Sequence, residues 1–283
     1  IPKDEMQEVM NYRSALFYAL DKMSTISDNS EEGRHKLPLS TRLIREMHRI
    51  LLDNVRGQAK TPGEFKTEQN YIGTINTISF TPLPPELTLE YMANLEQYIH
   101  YDEIDFLIQA ALIHCQFEMI HPFKDGNGRI GRLLIPLFLY YRDMLPVPTF
   151  YMSAYFEKDR KTYLEKLSAV SKDNDYAAWI KYFLEGVVEQ AEINTLKAKA
   201  MLDKYNDYKE ICLSEMSSKY AIMLLDEIFK RPAFKAKQLQ DIIPGSKGTL
   251  YNMLDEFVDK SILVKDDKVR NTTYFCPAIL NLL

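Results

Sequence analysis

Between His121 and Arg132 the chain reads His-Pro-Phe-Lys-Asp-Gly-Asn-Gly-Arg-Ile-Gly-Arg, and nearly every residue type there has a chemical use at its spacing. Asp125-Gly126-Asn127-Gly128 sets two glycines and a good capping residue directly before a helical pattern. Backbone N–H groups can then point outward at the positive end of a helix dipole. Such an end holds an anion, most simply a phosphate. Arg129 and Arg132, three apart in the first helical turn, share a face and bring two guanidinium groups to that anion, which suits a polyphosphate better than a single phosphate. Asp125 places a carboxylate at the rim, and a hard oxygen ligand beside phosphates is what Mg²⁺ normally takes. His121 ends the preceding helix, and a neutral imidazole can remove a proton from an attacking hydroxyl near neutral pH. Together these parts describe phosphoryl or nucleotidyl transfer to a hydroxyl.

Two apolar helical patterns must hold this stretch. Ile104, Leu107, Ile108, Ala111, Leu112, Cys115 and Met119 precede it, and Ile130, Leu133, Leu134, Leu137 and Phe138 follow it, so the glycines fall at a junction between buried helices. Pro136 cannot donate to the carbonyl of Arg132, which predicts a slight kink behind the anion site. Phe123 reads as an apolar peg that seats the loop. Further helices are expected at about 5–22, from Ser40 or Thr41 through Val55 to a stop at Gly57, and at 86–100, 102–119, 127–142, 157–171 and 175–210. Alternation of β-branched residues from Asn70 to Phe80, closed by Pro82, Pro84 and Pro85, predicts a short β-hairpin. After about residue 210 come three short helices, 221–229, 236–242 and 245–259, then strand-like pieces at 263–265 and 272–275. That is the order of a winged helix.

A length of 283 residues with 46% hydrophobic content gives about two domains with real cores. The net charge of -5 creates no global attraction for nucleic acid or an anionic membrane. Residues 212–283 hold 10 Lys+Arg against 9 Asp+Glu, a net +1, which is poor for DNA binding. Cys115, Cys212 and Cys276 are odd in number and widely spaced, which argues for buried thiols in a reducing compartment. No run of about 18 apolar residues exists, so no membrane span is expected. A P-loop needs Gly-Lys followed by Ser or Thr, and an EF-hand starting at Asp125 would put its Glu at Pro136; both fail. His114, Glu118 and His121 stand at i, i+4 and i+7 and could share a helical face, where a satisfied helix surface outweighs a metal site.

His121 to Arg132 fits the pattern H-P-F-x-[DE]-G-N-G-R-x-x-R, and the chain resembles the Fic (filamentation induced by cAMP) domain family. The similarity extends through Tyr12 to Leu20, Arg42 to Val55, Thr61 to Phe65, Gln69 to Gly73, the Pro-rich turn and Ser153 to Phe156. It implies a mainly α fold: a Fic-type helical bundle over residues 1–210 with its core at about 86–190 and a β-hairpin flap at about 70–82, followed by a small winged-helix domain over 211–283. It implies a protein adenylyltransferase, which moves AMP from Mg-ATP to a Tyr, Thr or Ser hydroxyl of a target protein. On this likeness His121 is the base and Asp125 holds Mg²⁺. Gly126, Asn127, Gly128, Arg129 and Arg132 bind the phosphates, with Arg132 at the γ-phosphate, and Ile72, Gly73, Thr74 and Ile75 belong to the flap that captures the target by strand addition.

Many members of the family carry an inhibitory helix, Ser or Thr-x-x-x-Glu followed by Gly or Asn, whose Glu pairs with the second motif Arg. Ser27 to Glu31 is followed by Glu32 and Ser153 to Glu157 by Lys158, so neither fits. In relatives that helix precedes the segment at Tyr12, so a counterpart, where the protein has one, is expected upstream of Ile1. Arg132 is therefore expected to be free, and pairing with Glu31 or Glu157 would overturn this. The cysteine usage implies a cytoplasmic protein, and the expected partners are the modified target, its own chain through self-modification, or a second copy in a homodimer. The alternative readings are a winged-helix DNA-binding regulator, with Lys247, Thr249, Tyr251 and Asn252 facing the groove and Lys268 and Arg270 in the wing, and a Fic-type phosphotransferase or de-AMPylase.

Overall fold

Apolar residues recurring every three or four positions fold most of the chain into helices. The computed structural model describes residues 3–24, 38–53, 60–74, 77–266 and 272–282. The helices and strands within one compact unit, residues 1–191, are α1 (Lys3–Ser24), α2 (Thr41–Leu51), β1 (Ile72–Thr74), β2 (Thr77–Phe80), α3 (Pro85–His100), α4 (Phe106–Ile120), α5 (Asn127–Tyr141), α6 (Ser153–Lys158), α7 (Arg160–Asp173) and the first part of α8 (Tyr176–Glu215). Local chemistry sets the starts. Ser40 caps α2 by accepting from the Leu43 N–H, Asp105 caps α4 through Leu107 and Ile108, Asp159 caps α7 through Thr162, and Pro85 opens α3 where its missing N–H costs nothing. α5 runs on through Pro136. The predicted extension of α2 to Val55 and Gly57 lies outside the described residues.

The core of this unit is aromatic. Phe117, Phe123, Phe138, Phe156, Trp179 and Phe183 are fully buried, each contributing roughly 1.5–3 kcal/mol. The Trp179 indole also donates to the Ala111 carbonyl at 2.9 Å, which fastens α8 to α4. Helix α6 was absent from the sequence reading, which began a helix at residue 157. Six residues are too short to show a helical period, and α6 is separated from α7 by Asp159 in a non-helical conformation.

β1 and β2 pair antiparallel, Ile72 opposite Phe80 and Thr74 opposite Thr77, with an irregularity between Ile72 and Gly73. Ile75 lies outside the described residues.

The second compact unit, residues 192–283, holds the rest of α8, then α9 (Ala221–Lys230), β3 (Ala233–Lys235), α10 (Lys247–Asp259), β4 (Val264–Lys265), β5 (Thr273–Phe275) and α11 (Pro277–Leu280). Its sheet has the order β3-β5-β4. The helix expected at 236–242 is a 3-10 turn over Ala236–Leu239, preceded by the unforeseen strand β3. Three residues alternating exposed, buried, exposed are too few to read as a strand in isolation. Leu224, Ile228, Phe234, Leu254, Phe257 and Ile262 form its core. The boundary read from sequence at 210/211 and the division at 191/192 both fall inside α8.

Candidate active site

Helix α4 delivers His121 by ending on it. His121 takes a left-handed conformation (φ 49, ψ 62) and its N–H still closes on the Phe117 carbonyl. A non-glycine residue there costs roughly 1–2 kcal/mol, and the turn ends α4 and starts the loop. The His121 Nδ1 lies 3.3 Å from the Glu118 carbonyl oxygen, which can only accept, so that nitrogen carries the proton and Nε2 is left with its lone pair.

The loop is held by its carbonyls. Lys66 Nζ donates to Ile120 O at 3.0 Å, Asn70 Nδ2 donates to His121 O and Phe123 O at 3.0 and 2.9 Å, and the Lys66 N–H donates to Pro122 O at 2.7 Å. Burial pushes the Lys66 ammonium down to about 8. His48, fully buried in α2, donates through Nε2 to Asp125 O at 2.9 Å, accepts the Gly63 N–H at Nδ1 at 2.8 Å, and stacks on Phe123 at 3.8 Å. These two bonds use the donor and the acceptor of one neutral tautomer, and burial holds the imidazole down at about 4. With its carbonyls tied back, the loop can turn N–H groups toward the opposite side.

That side is the start of α5. Gly126, at φ 77, is its N-cap, a backbone state favouring glycine. The N–H groups of the first turn of a helix have no partner within it. The Asn127 side chain does not join them. It is 2% exposed, with Oδ1 accepting from Phe123 N at 2.8 Å and Nδ2 donating to Phe123 O at 2.7 Å. It clamps the loop, so a phosphate would meet Asn127 through its backbone. The Asp125 carboxylate is half-exposed and accepts the Gly126 N–H at 2.6 Å.

Both arginines are already near carboxylates. Arg129 stands 3.3 Å from Glu8 of α1 and 3.9 Å from Asp125, and Arg132 stands 3.9 Å from Glu157 of α6. The last pair overturns the expectation of a free Arg132, and the reason is α6 itself, the helix too short to be read from sequence. Glu157 is half-exposed and also 3.7 Å from Arg160. Such pairs contribute at most about 1 kcal/mol, so a polyphosphate of higher charge can displace them. Glu31 lies outside the described residues.

A cavity of about 430 Å³ joins these parts, a volume suited to a small-molecule ligand. It is lined by Gly126 to Arg129 and Arg132, by the apolar Leu164 and Leu167 of α7, and by Tyr71, Ile72 and Phe80 of the hairpin region. His114 is not on a helix surface. It is completely buried, and both its nitrogens are engaged, by Gly131 O at 3.0 Å and Tyr163 OH at 3.0 Å, leaving none for a metal. Among the described residues no group of three or more His, Cys, Asp or Glu could hold a metal ion. Of the site residues, His48, Lys66, Glu118 and Gly131 were not foreseen as such. The one signal for His48 was a histidine on the apolar face of α2 beside Leu43, Ile44, Met47 and Leu51.

Residues 38–139 match the model of the Fic/DOC family. The chain is 36% identical over 107 residues to the protein adenylyltransferase fic-1 of Caenorhabditis briggsae, covering 37% of this chain and 20% of that protein. The match thus spans about a fifth of the relative's length. Among solved structures, a Fic family protein from Desulfovibrio desulfuricans G20 superposes with a TM-score of 0.56 at 17% identity, covering 98% of this chain and 76% of that one. Residues 134–508 of Fic-1 from Caenorhabditis elegans give 0.52 at 24% identity, covering 70% and 54%. These two likenesses carry the fold.

Proposed function

From the match of residues 38–139 to the Fic/DOC family model we infer that the chain is a protein adenylyltransferase, which moves AMP from ATP to a hydroxyl side chain of a target protein. The observation that carries this reading is one cavity holding an imidazole with its Nδ1 turned to the protein, a helix N-terminus and two arginines. The target oxygen attacks the α-phosphorus, the bond to pyrophosphate breaks, and the hydroxyl proton passes to Nε2 of His121. Arg129, Arg132 and the N–H groups at Asn127 and Gly128 hold the phosphate chain, the Gly126 N–H being taken by the Asp125 carboxylate. The apolar side chains of Leu164 and Leu167 in the lining suit a purine ring.

Mg²⁺ usually takes one or two carboxylates together with substrate phosphates and water rather than a protein cage. One half-exposed carboxylate at the rim fits that habit, so Asp125 would hold the ion, which supplies charge neutralisation on the phosphates. The hairpin, a two-stranded ladder beside the cavity, suits capture of a target segment by strand addition through Ile72, Gly73 and Thr74. The same site can act on the chain itself or on a second copy of it.

The order α9, β3, 3-10 turn, α10, β4, β5 supports a winged-helix reading of the second unit. Its α10 carries Asp255 and Asp259 as well as Lys247, which favours a protein partner over DNA; Lys268 and Arg270 lie outside the described residues. Binding to random duplex with a steep salt dependence would reverse that preference. All three cysteines are free and buried, which supports a reducing compartment and a cytoplasmic location. No helix among the described residues is long and apolar enough to cross a membrane.

Mass spectrometry after incubation with Mg-ATP and a cell lysate tests the reaction. Added AMP on the chain or on a target supports it; an added phosphate, or removal of AMP from a modified protein, would replace it with a phosphotransferase or de-AMPylase. His121→Ala is expected to lower AMP incorporation by about 10²- to 10⁴-fold.

A further inference from the structure

Glu118, one turn before His121 in α4, is a carboxylate in an improbable place. It is 6% exposed, and its Oε1 is buried without a hydrogen-bond partner. Burying an ionised group this way is expensive unless opposite charge repays it. Its other oxygen, Oε2, lies 3.6 Å from His121 Nδ1. The space it fills is made by a missing side chain on the facing helix, since a Cβ at Gly131 would stand 2.3 Å from Glu118 Oε1. The second glycine of Gly128-Arg129-Ile130-Gly131 thus accommodates a carboxylate from α4 rather than a phosphate.

We propose that Glu118 is a positioning residue for His121: it fixes the Nδ1–H side of the imidazole toward the protein and stabilises the imidazolium formed when Nε2 takes the hydroxyl proton. This rests on the reading of His121 as the base. The proton moves from the target hydroxyl to Nε2, the positive charge that results sits beside Oε2, and Glu118 itself stays ionised throughout. Burial pushes its carboxyl up, but the imidazole of His121 beside it and the charge of Arg132 hold it below the usual range. The groups facing it are His114, Cys115 and His121 from its own helix, Arg132 from α5 and Tyr163 from α7. Of these, burial disfavours the charged form of His114 and Arg132 keeps its charge throughout, so His121 is the group that both touches Glu118 and changes charge in the reaction.

Two variants test this. Glu118→Gln keeps the size and removes the charge; Gly131→Ala keeps the charge and forces the carboxylate out of its recess. For Glu118→Gln the expected result is a fall in kcat of about 10- to 100-fold, as for other outer partners that orient a reacting imidazole, with KM for ATP unchanged. The acid limb of the kcat–pH profile should move to lower pH by about one unit, because an opposite charge within about 4–6 Å raises an imidazole's pKa by that order. Gly131→Ala should lower kcat in the same way. NMR titration of the His121 ring in the Glu118→Gln protein reads the same shift without any catalysis. An unchanged His121 titration in Glu118→Gln overturns the proposal, as does a loss confined to KM for ATP, which would route the carboxylate through Arg132. Failure of the underlying reading looks different: His121→Ala would then retain the parent's activity whatever Glu118 does.

Discussion

Arg132 and Glu157 set a competition that can be measured. An exposed ion pair contributes at most about 1 kcal/mol, so Glu157→Gln should lower KM for ATP by no more than about five-fold and leave kcat unchanged; a rise in KM would mean that Glu157 helps to bind ATP instead of opposing it. Arg132→Ala removes charged hydrogen bonds of about 1.5–3 kcal/mol each, and isothermal titration with ATP should show affinity weakened by at least about ten-fold. At this scale the sequence was informative about residue type and silent about direction. The motif put Asn127 among the phosphate ligands, yet its side chain is spent on the Phe123 backbone. His48, Lys66 and Asn70 meet the loop from 51 to 77 positions away in several cases, and spacing within a motif holds no trace of partners that distant.

At the scale of elements, the hairpin and the short helix α6 behave differently under the same physics. The hairpin was legible because alternation and flanking prolines are local signals; α6 was not, because six residues carry no usable period. If the hairpin captures the target by main-chain hydrogen bonds, a proline in β1 removes a donor and fixes φ. Gly73→Pro is therefore expected to abolish labelling of a protein target while ATP affinity measured by titration stays within two-fold of the parent, an order set by the neutral outcome for remote surface changes. Equal loss of both would place the hairpin in the ATP site and not at the target. The loop between α4 and α5 gives the converse lesson: its helix-start chemistry was readable from Asp125 to Gly128, while the clamp that orients it comes from α2 and the 63–70 segment.

Across the whole molecule, all five histidines and the single tryptophan fall in residues 1–191, and none in 192–283. The first unit buries His48, and burial also depresses His100 and His114. An unfolded chain takes up a proton at His48 near pH 6.5, whereas the folded one holds it off until about 4. Between those values the unfolded state binds more protons, so stability is fully present above pH 6.5 and falls as the pH drops toward 4. His48 alone accounts for about 2 kcal/mol of loss by pH 5, before carboxylates titrate appreciably. The second unit has no such group, which separates the two units' responses where sequence composition alone gave only their charges. Urea unfolding followed by Trp179 fluorescence should therefore show a free energy that declines steadily from pH 6.5 to 5, with a smaller slope in His48→Gln. A Trp179 transition insensitive to pH over that window would mean that the imidazole of His48 is hydrated in the folded chain, and the clamp on the Asp125 carbonyl would have to be abandoned with it.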